Sequence, residues 1–193
     1  KAYGYASMTT VGPTILSVFL ILALQKMMDY YKSSFIEWEL YIATVTYCFI
    51  FSIILTSGFT MVLSRFIADM IYQKKYEYLL SSFYGAIVIM VPISALLAGV
   101  FLIGVNASNL YKAATYLFFL ELVIIWIQSV YLSVLKDYKR IVRNFSIGVG
   151  ISLLSGWVLF SVANIQSTTT AILAIDSGFF SIVAMTGYHF EQK

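Results

Sequence analysis

The chain has 193 residues, of which 61% are apolar and only 11% charged, against about 45–50% and 25% in an ordinary soluble domain. A water-soluble protein of this size would have to leave much of that apolar excess exposed, so the medium the sequence calls for is a lipid bilayer. Net charge is +3, and there is one cysteine (Cys48) and one histidine (His189). A disulfide framework, a zinc cluster and a Cys–His nucleophile pair are thereby excluded.

Crossing a hydrocarbon core of about 30 Å takes about 20 apolar residues. The hydropathy pattern predicts six such helices, at 2–25, 39–64, 79–104, 113–135, 145–163 and 169–188. The last two come from one apolar stretch that is too long for a single crossing, divided at the polar segment 164–170. A β-barrel does not fit, because the runs are continuous where barrel strands alternate and are far longer than about ten residues. In lipid every backbone group needs an internal partner, which leaves helices. The expected fold is therefore an all-α membrane protein, a bundle of six transmembrane helices in one domain. The chain begins at Lys1 in apolar sequence without a methionine, and is expected to be part of a longer protein.

The first helix carries Ser7, Thr10, Thr14 and Ser17 at steps of three and four, a narrow hydroxyl stripe. Ser52, Thr56, Thr60 and Ser64 make a second stripe on the second helix. Such stripes suit a hydrated substrate path, and equally suit helix packing. Pro13 and Pro92 are expected to interrupt the first and third helices. At the end of the second helix Arg65 and Asp69 are spaced to pair. Asn106-Ala-Ser108 has the form of a glycosylation triplet, and carries no weight.

Glu121 and Asp176 are the two acids inside predicted spans, each placed about 10–12 Å from its helix's outer end. An intramembrane carboxyl is expensive and suggests a function: a proton or cation site, or a contact to polar substrate. The alternative is a neutral carboxyl bonded between helices. Gln128 lies one heptad after Glu121, on the same face. In the fifth helix Gly148, Ser152 and Gly156 form a small-residue face suited to close packing. The run Lys136, Lys139, Arg140 and Arg143 suits lipid phosphates, a cytoplasmic partner or topology alone.

Lysine and arginine set the orientation. Six crossings place Lys1, Arg65, Lys74, Lys75, Lys136, Lys139, Arg140, Arg143 and Lys193 on one side, and Lys26, Lys32 and Lys112 on the other. The positive-inside rule then predicts both ends in the cytoplasm. No nucleotide loop, metal-ligand cluster or nucleophile–base set is visible, so no enzyme activity, cofactor or nucleic-acid partner is expected.

Three stretches resemble PelG-type proteins, the inner-membrane components of bacterial Pel exopolysaccharide export. They are Lys1-Ala-Tyr-Gly-Tyr-Ala-Ser7 with Val11-Gly-Pro-Thr-Ile-Leu-Ser17; Ile54-Leu-Thr-Ser-Gly58 with Ser64-Arg-Phe-Ile-Ala-Asp69 and Lys74-Lys-Tyr-Glu-Tyr78; and Leu135-Lys-Asp-Tyr-Lys139. The resemblance covers at least the first 140 residues, while the last fifty agree only in hydropathy. It implies a transporter of the multidrug, oligosaccharidyl-lipid and polysaccharide exporter superfamily, with two six-helix lobes working by alternating access. This chain would be the first lobe of a twelve-helix protein that moves a polymer made by a cytoplasmic glycosyltransferase, alongside other Pel-type membrane proteins. No set of site residues carries over with the resemblance. Two rivals stay open: a cation-coupled drug or lipid-linked oligosaccharide exporter, and a membrane scaffold for the glycosyltransferase.

Overall fold

The structure is a computed structural model. It describes residues 2–31, 33–75, 77–135, 138–162 and 167–191; the side chains of 2–14, 138, 162, 190 and 191 lie outside that description. Among the described residues there are six helices: α1 (Ala2–Tyr30), α2 (Phe35–Tyr72), α3 (Glu77–Ile103), α4 (Asn109–Val134), α5 (Tyr138–Val162) and α6 (Thr168–Glu191). Five of them, α2 to α6, are long and apolar enough to cross a membrane.

The helices are longer than the apolar runs that announced them. α2 begins four residues earlier than expected and continues eight residues past Ser64, α4 starts at Asn109 and α5 at Tyr138. Hydropathy marks only the part of a helix that sits in hydrocarbon. Its backbone ladder continues into the interfacial layer, where charged side chains reach water. Arg65 and Asp69 therefore ride on α2, and Lys139, Arg140 and Arg143 on the first turns of α5. Helix α1 runs unbroken through Pro13 and α3 through Pro92, so neither proline divides its helix.

Local signals set several ends. Ser34 caps α2 by accepting the Glu37 amide at 3.3 Å, and Ser108 caps α4 by accepting the Tyr111 amide at 3.2 Å. The serine of the Asn106-Ala-Ser108 triplet thus serves as a helix cap. After α2, Lys74 takes a positive φ of 58°, while the Lys74 and Lys75 amides donate back to Ile71 and Met70. That arrangement is a Schellman turn, closed here by a lysine where glycine is usual.

Side-chain pairings define the topology. Thr44 meets Tyr111 and Ser52 meets Trp126, so α2 and α4 run parallel. Phe118 packs on Phe179 and Gln128 reaches Val183, so α4 and α6 are parallel too. Ser82 with Tyr131, and Asn144 with Thr186, make α3·α4 and α5·α6 antiparallel. The even helices α2, α4 and α6 form a parallel trio. α3 packs mainly on α4; α5 lies against α6 and carries α1 on its far side. α4 and α6 are the most buried helices, and α3 is the least.

The seam between α5 and α6 is the closest helix contact. A Cβ on Gly178 would land on the Ser152 side chain and the Gly148 carbonyl, and one on Gly148 would enter the Ile182 side chain. Around it Ser155 bonds Ser177 at 2.7 Å, and Ser152 reaches the Ile175 carbonyl at 3.4 Å. The Gly148–Ser152–Gly156 face is thus a packing face, with Gly178 its counterpart on α6.

Candidate functional site

The polar groups that the apolar trio must accommodate gather along α4 and α6. Asp176 is 7% exposed, and neither of its carboxyl oxygens has a hydrogen-bond partner among the described residues. Glu121 is half-buried, with Oε2 buried and likewise unpartnered. Asp176 is close enough to act electrostatically on both Glu121 and the buried Cys48 of α2. The two acids that sequence placed on separate helices therefore lie within electrostatic range of each other on the α4–α6 contact, one turn to either side of the Phe118–Phe179 pair.

Their distances from the helix starts differ from each other. Asp176 lies eight residues from Thr168, about 12 Å along the axis, whereas Glu121 lies twelve residues from Asn109, about 18 Å. The four extra residues are the start of α4 ahead of its apolar run. Gln128 continues the same face: its Nε2 donates to the Val183 carbonyl at 3.0 Å, and its Oε1 is buried without a partner. The seam thus holds four buried acceptor oxygens with unused capacity, on Glu121, Gln128 and Asp176.

The hydroxyl stripes behave differently. Ser52 and Thr56 are buried, and each hydroxyl donates to its own helix, to Phe49 at 2.9 Å and Ser52 at 2.7 Å. The Ser52 oxygen also accepts the Trp126 indole N–H at 3.0 Å. Ser52 thereby ties α2 to α4, while Thr56 bonds back within α2. Thr60 and Ser64 drift to the half-exposed side and bond their own carbonyls, as four-residue steps on a 3.6-residue helix dictate. On α1, Ser17 is buried, while the side chains of Ser7, Thr10 and Thr14 lie outside the described residues.

At the other end of α2, Arg65 and Asp69 are both exposed, and among the described residues no ion pair joins them. Arg140, Arg143 and Lys139 stand at the start of α5, with Arg140 against His189 of α6. Lys136 lies outside the described residues.

Two features had no sequence signal. Glu37, three residues after the α2 cap, leaves its own helix end and accepts the Thr168 amide at 2.6 Å; the Thr168 hydroxyl lies 2.7 Å from the Glu37 carbonyl. A carboxylate thus sits on the amino end of α6, where the helix dipole favours it. The clamp joins positions 131 residues apart, beyond any local pattern. The second feature is a cleft of about 480 Å³ between α2, α3 and α4, walled by Tyr47, Phe51, Phe101 and Phe119, with Cys48 in its lining. Thr115 borders it with its hydroxyl unpartnered.

With a lipid-facing six-helix bundle and an internal acid seam in place, the comparison with known families is decisive. The model of the family described as PelG, Putative exopolysaccharide Exporter (EPS-E), matches residues 1–193. The chain belongs to the PelG family. The match includes the last fifty residues, where sequence resemblance had reached only hydropathy. No curated protein and no solved structure matches the chain.

Proposed function

We infer that this PelG-family chain is a translocation element of an exopolysaccharide exporter in a bacterial inner membrane, and that the Glu121–Asp176 seam is where polar cargo or a driving ion engages it. The observation that carries this reading is the seam itself. Two carboxyls on neighbouring helices, Asp176 buried and Glu121 half-buried, keep acceptor oxygens that nothing described in the bundle satisfies. An ionised carboxyl in hydrocarbon is expensive, and an unmet buried acceptor typically costs about 1–3 kcal/mol. A sequence that keeps both has a use for their free capacity. Sugar hydroxyls are donors that match it, and so is a cation.

The polymer, made by a glycosyltransferase on the basic side of the bundle, would pass by alternating access or along a conduit completed by further helices. In that arrangement α4 and α6 supply polar contact, while Ser52 holds α2 in place. The test is Asp176→Asn and Glu121→Gln, singly and together, in the full-length protein in its native cell. Secreted polymer is expected to fall about tenfold or more at unchanged protein level, equivalent to losing one interaction of about 1.4 kcal/mol in the rate-limiting state. Wild-type secretion from the double variant would sink the assignment.

A second reading, cation-coupled export, draws on the same paired acids. It differs in one measurement: dissipating the proton and sodium gradients would stop transport in wild-type vesicles, whereas a conduit driven by polymer synthesis would continue.

A further inference from the structure

At the basic end of the bundle, α5 and α6 line a pocket of about 430 Å³. Arg140, Arg143 and Asn144 line it from α5, and Tyr188 and His189 from α6, with Ile147 and Met185 on the side nearer the membrane core. Its floor is fixed. Asn144 is 2% exposed and donates to the buried Thr186 at 3.0 Å, and His189, itself buried, is held against Arg140. No carboxylate lines it among the described residues. Arg143 and Tyr188 are exposed at its mouth.

We propose that this pocket binds the phosphate headgroup of an anionic phospholipid from the inner leaflet. Two guanidiniums, a carboxamide and a phenol form a donor set for phosphate, and arginine's planar fork suits phosphate oxygens in pairs. Basic pockets between transmembrane helices on the cytoplasmic side have this chemistry, drawn on by the negative potential of that leaflet. The lipid source follows from the apolar half. Ile147 continues the line of Arg143 one turn further into the membrane, and Leu154 and Val158 extend it along the same face of α5, all three exposed. A headgroup at Arg143 would lay its acyl chain along that stripe; a free phosphate would make no use of it.

The experiment uses the full chain purified in detergent, with bound lipid counted by native mass spectrometry. The probes are phosphatidylglycerol, phosphatidylcholine and inorganic phosphate. Wild type is expected to retain phosphatidylglycerol in preference to phosphatidylcholine, and Arg140→Gln with Arg143→Gln to weaken it about thirtyfold, the product of two surface-charge contacts. Lys139→Gln removes one positive charge from the same turn outside the pocket, as Arg143→Gln removes one inside it, and is expected to change binding less than about threefold. If the double variant is not monodisperse, Arg143→Gln alone, an exposed position, is expected to lose about fivefold. Equal retention of both lipids, or a Lys139→Gln effect as large as the double variant's, would overturn the site. Displacement of phosphatidylglycerol by inorganic phosphate at equal concentration would overturn the lipid as its ligand.

Discussion

The two sides of the bundle are built on opposite plans. Along α5 and α6, small residues let the backbones touch, and Gly148 and Gly178 lack room for a Cβ, while Gly156 lies under the Leu24 side chain of α1. Across the bundle α2 and α3 barely meet; Gly58 and Gly99 face open space, and large side chains such as Phe51 and Phe101 wall a cleft. In lipid, apolar side chains gain little by leaving the solvent, so tight association rests on close packing and hydrogen bonds. The α5–α6 side has both. Between α2 and α3, among the described residues, the contact is the Phe51–Phe101 ring pair and a few neighbours.

The sharpest way to break that contrast is glycine exchange. Gly178→Ala is expected to cost roughly 1–3 kcal/mol, near the upper end because a backbone carbonyl blocks the new methyl. Gly99→Ala should be neutral or gain up to about 1 kcal/mol through helix propensity. Thermal or detergent-driven unfolding of the two proteins decides it; equal losses would mean the two sides are packed alike. Next in size is the clamp that tethers α2 to the tight side. Glu37→Ala should lose about 2 kcal/mol, as expected for hydrogen bonds to a charged group, and should speed hydrogen exchange at the start of α6. The smallest effect belongs to Ser52→Ala, which frees the Trp126 indole and should cost about 0.6–1.7 kcal/mol. A shift in Trp126 fluorescence would report the lost bond directly.

Much of this was legible in advance wherever one residue type has one physical use. Apolar runs long enough for a bilayer located the six helices, and the four-residue spacing of Gly148, Ser152 and Gly156 identified a packing face, although its partner Gly178 carried no comparable sign. Periodicity was ambiguous for the hydroxyl stripes, because a serine that lines a path and one that bonds its own carbonyl have the same spacing. Ser52 and Thr56 both bond carbonyls of their own helix, and Ser52 also accepts the Trp126 indole N–H. Helix ends differ from the apolar runs where the backbone continues past the hydrocarbon, so Glu121 stands twelve residues from the start of α4.

The sequence by itself determined the medium, the helical class and the end of the bundle that gathers positive charge, because these depend on the solvation of each segment taken alone. Tertiary structure decided which helices touch, and so brought Glu121 to Asp176, Glu37 to Thr168, and Arg143 beside Tyr188 in one pocket. Those meetings depend on the crossing and rotation of helices far apart in the chain, which shape complementarity sets and no local pattern records.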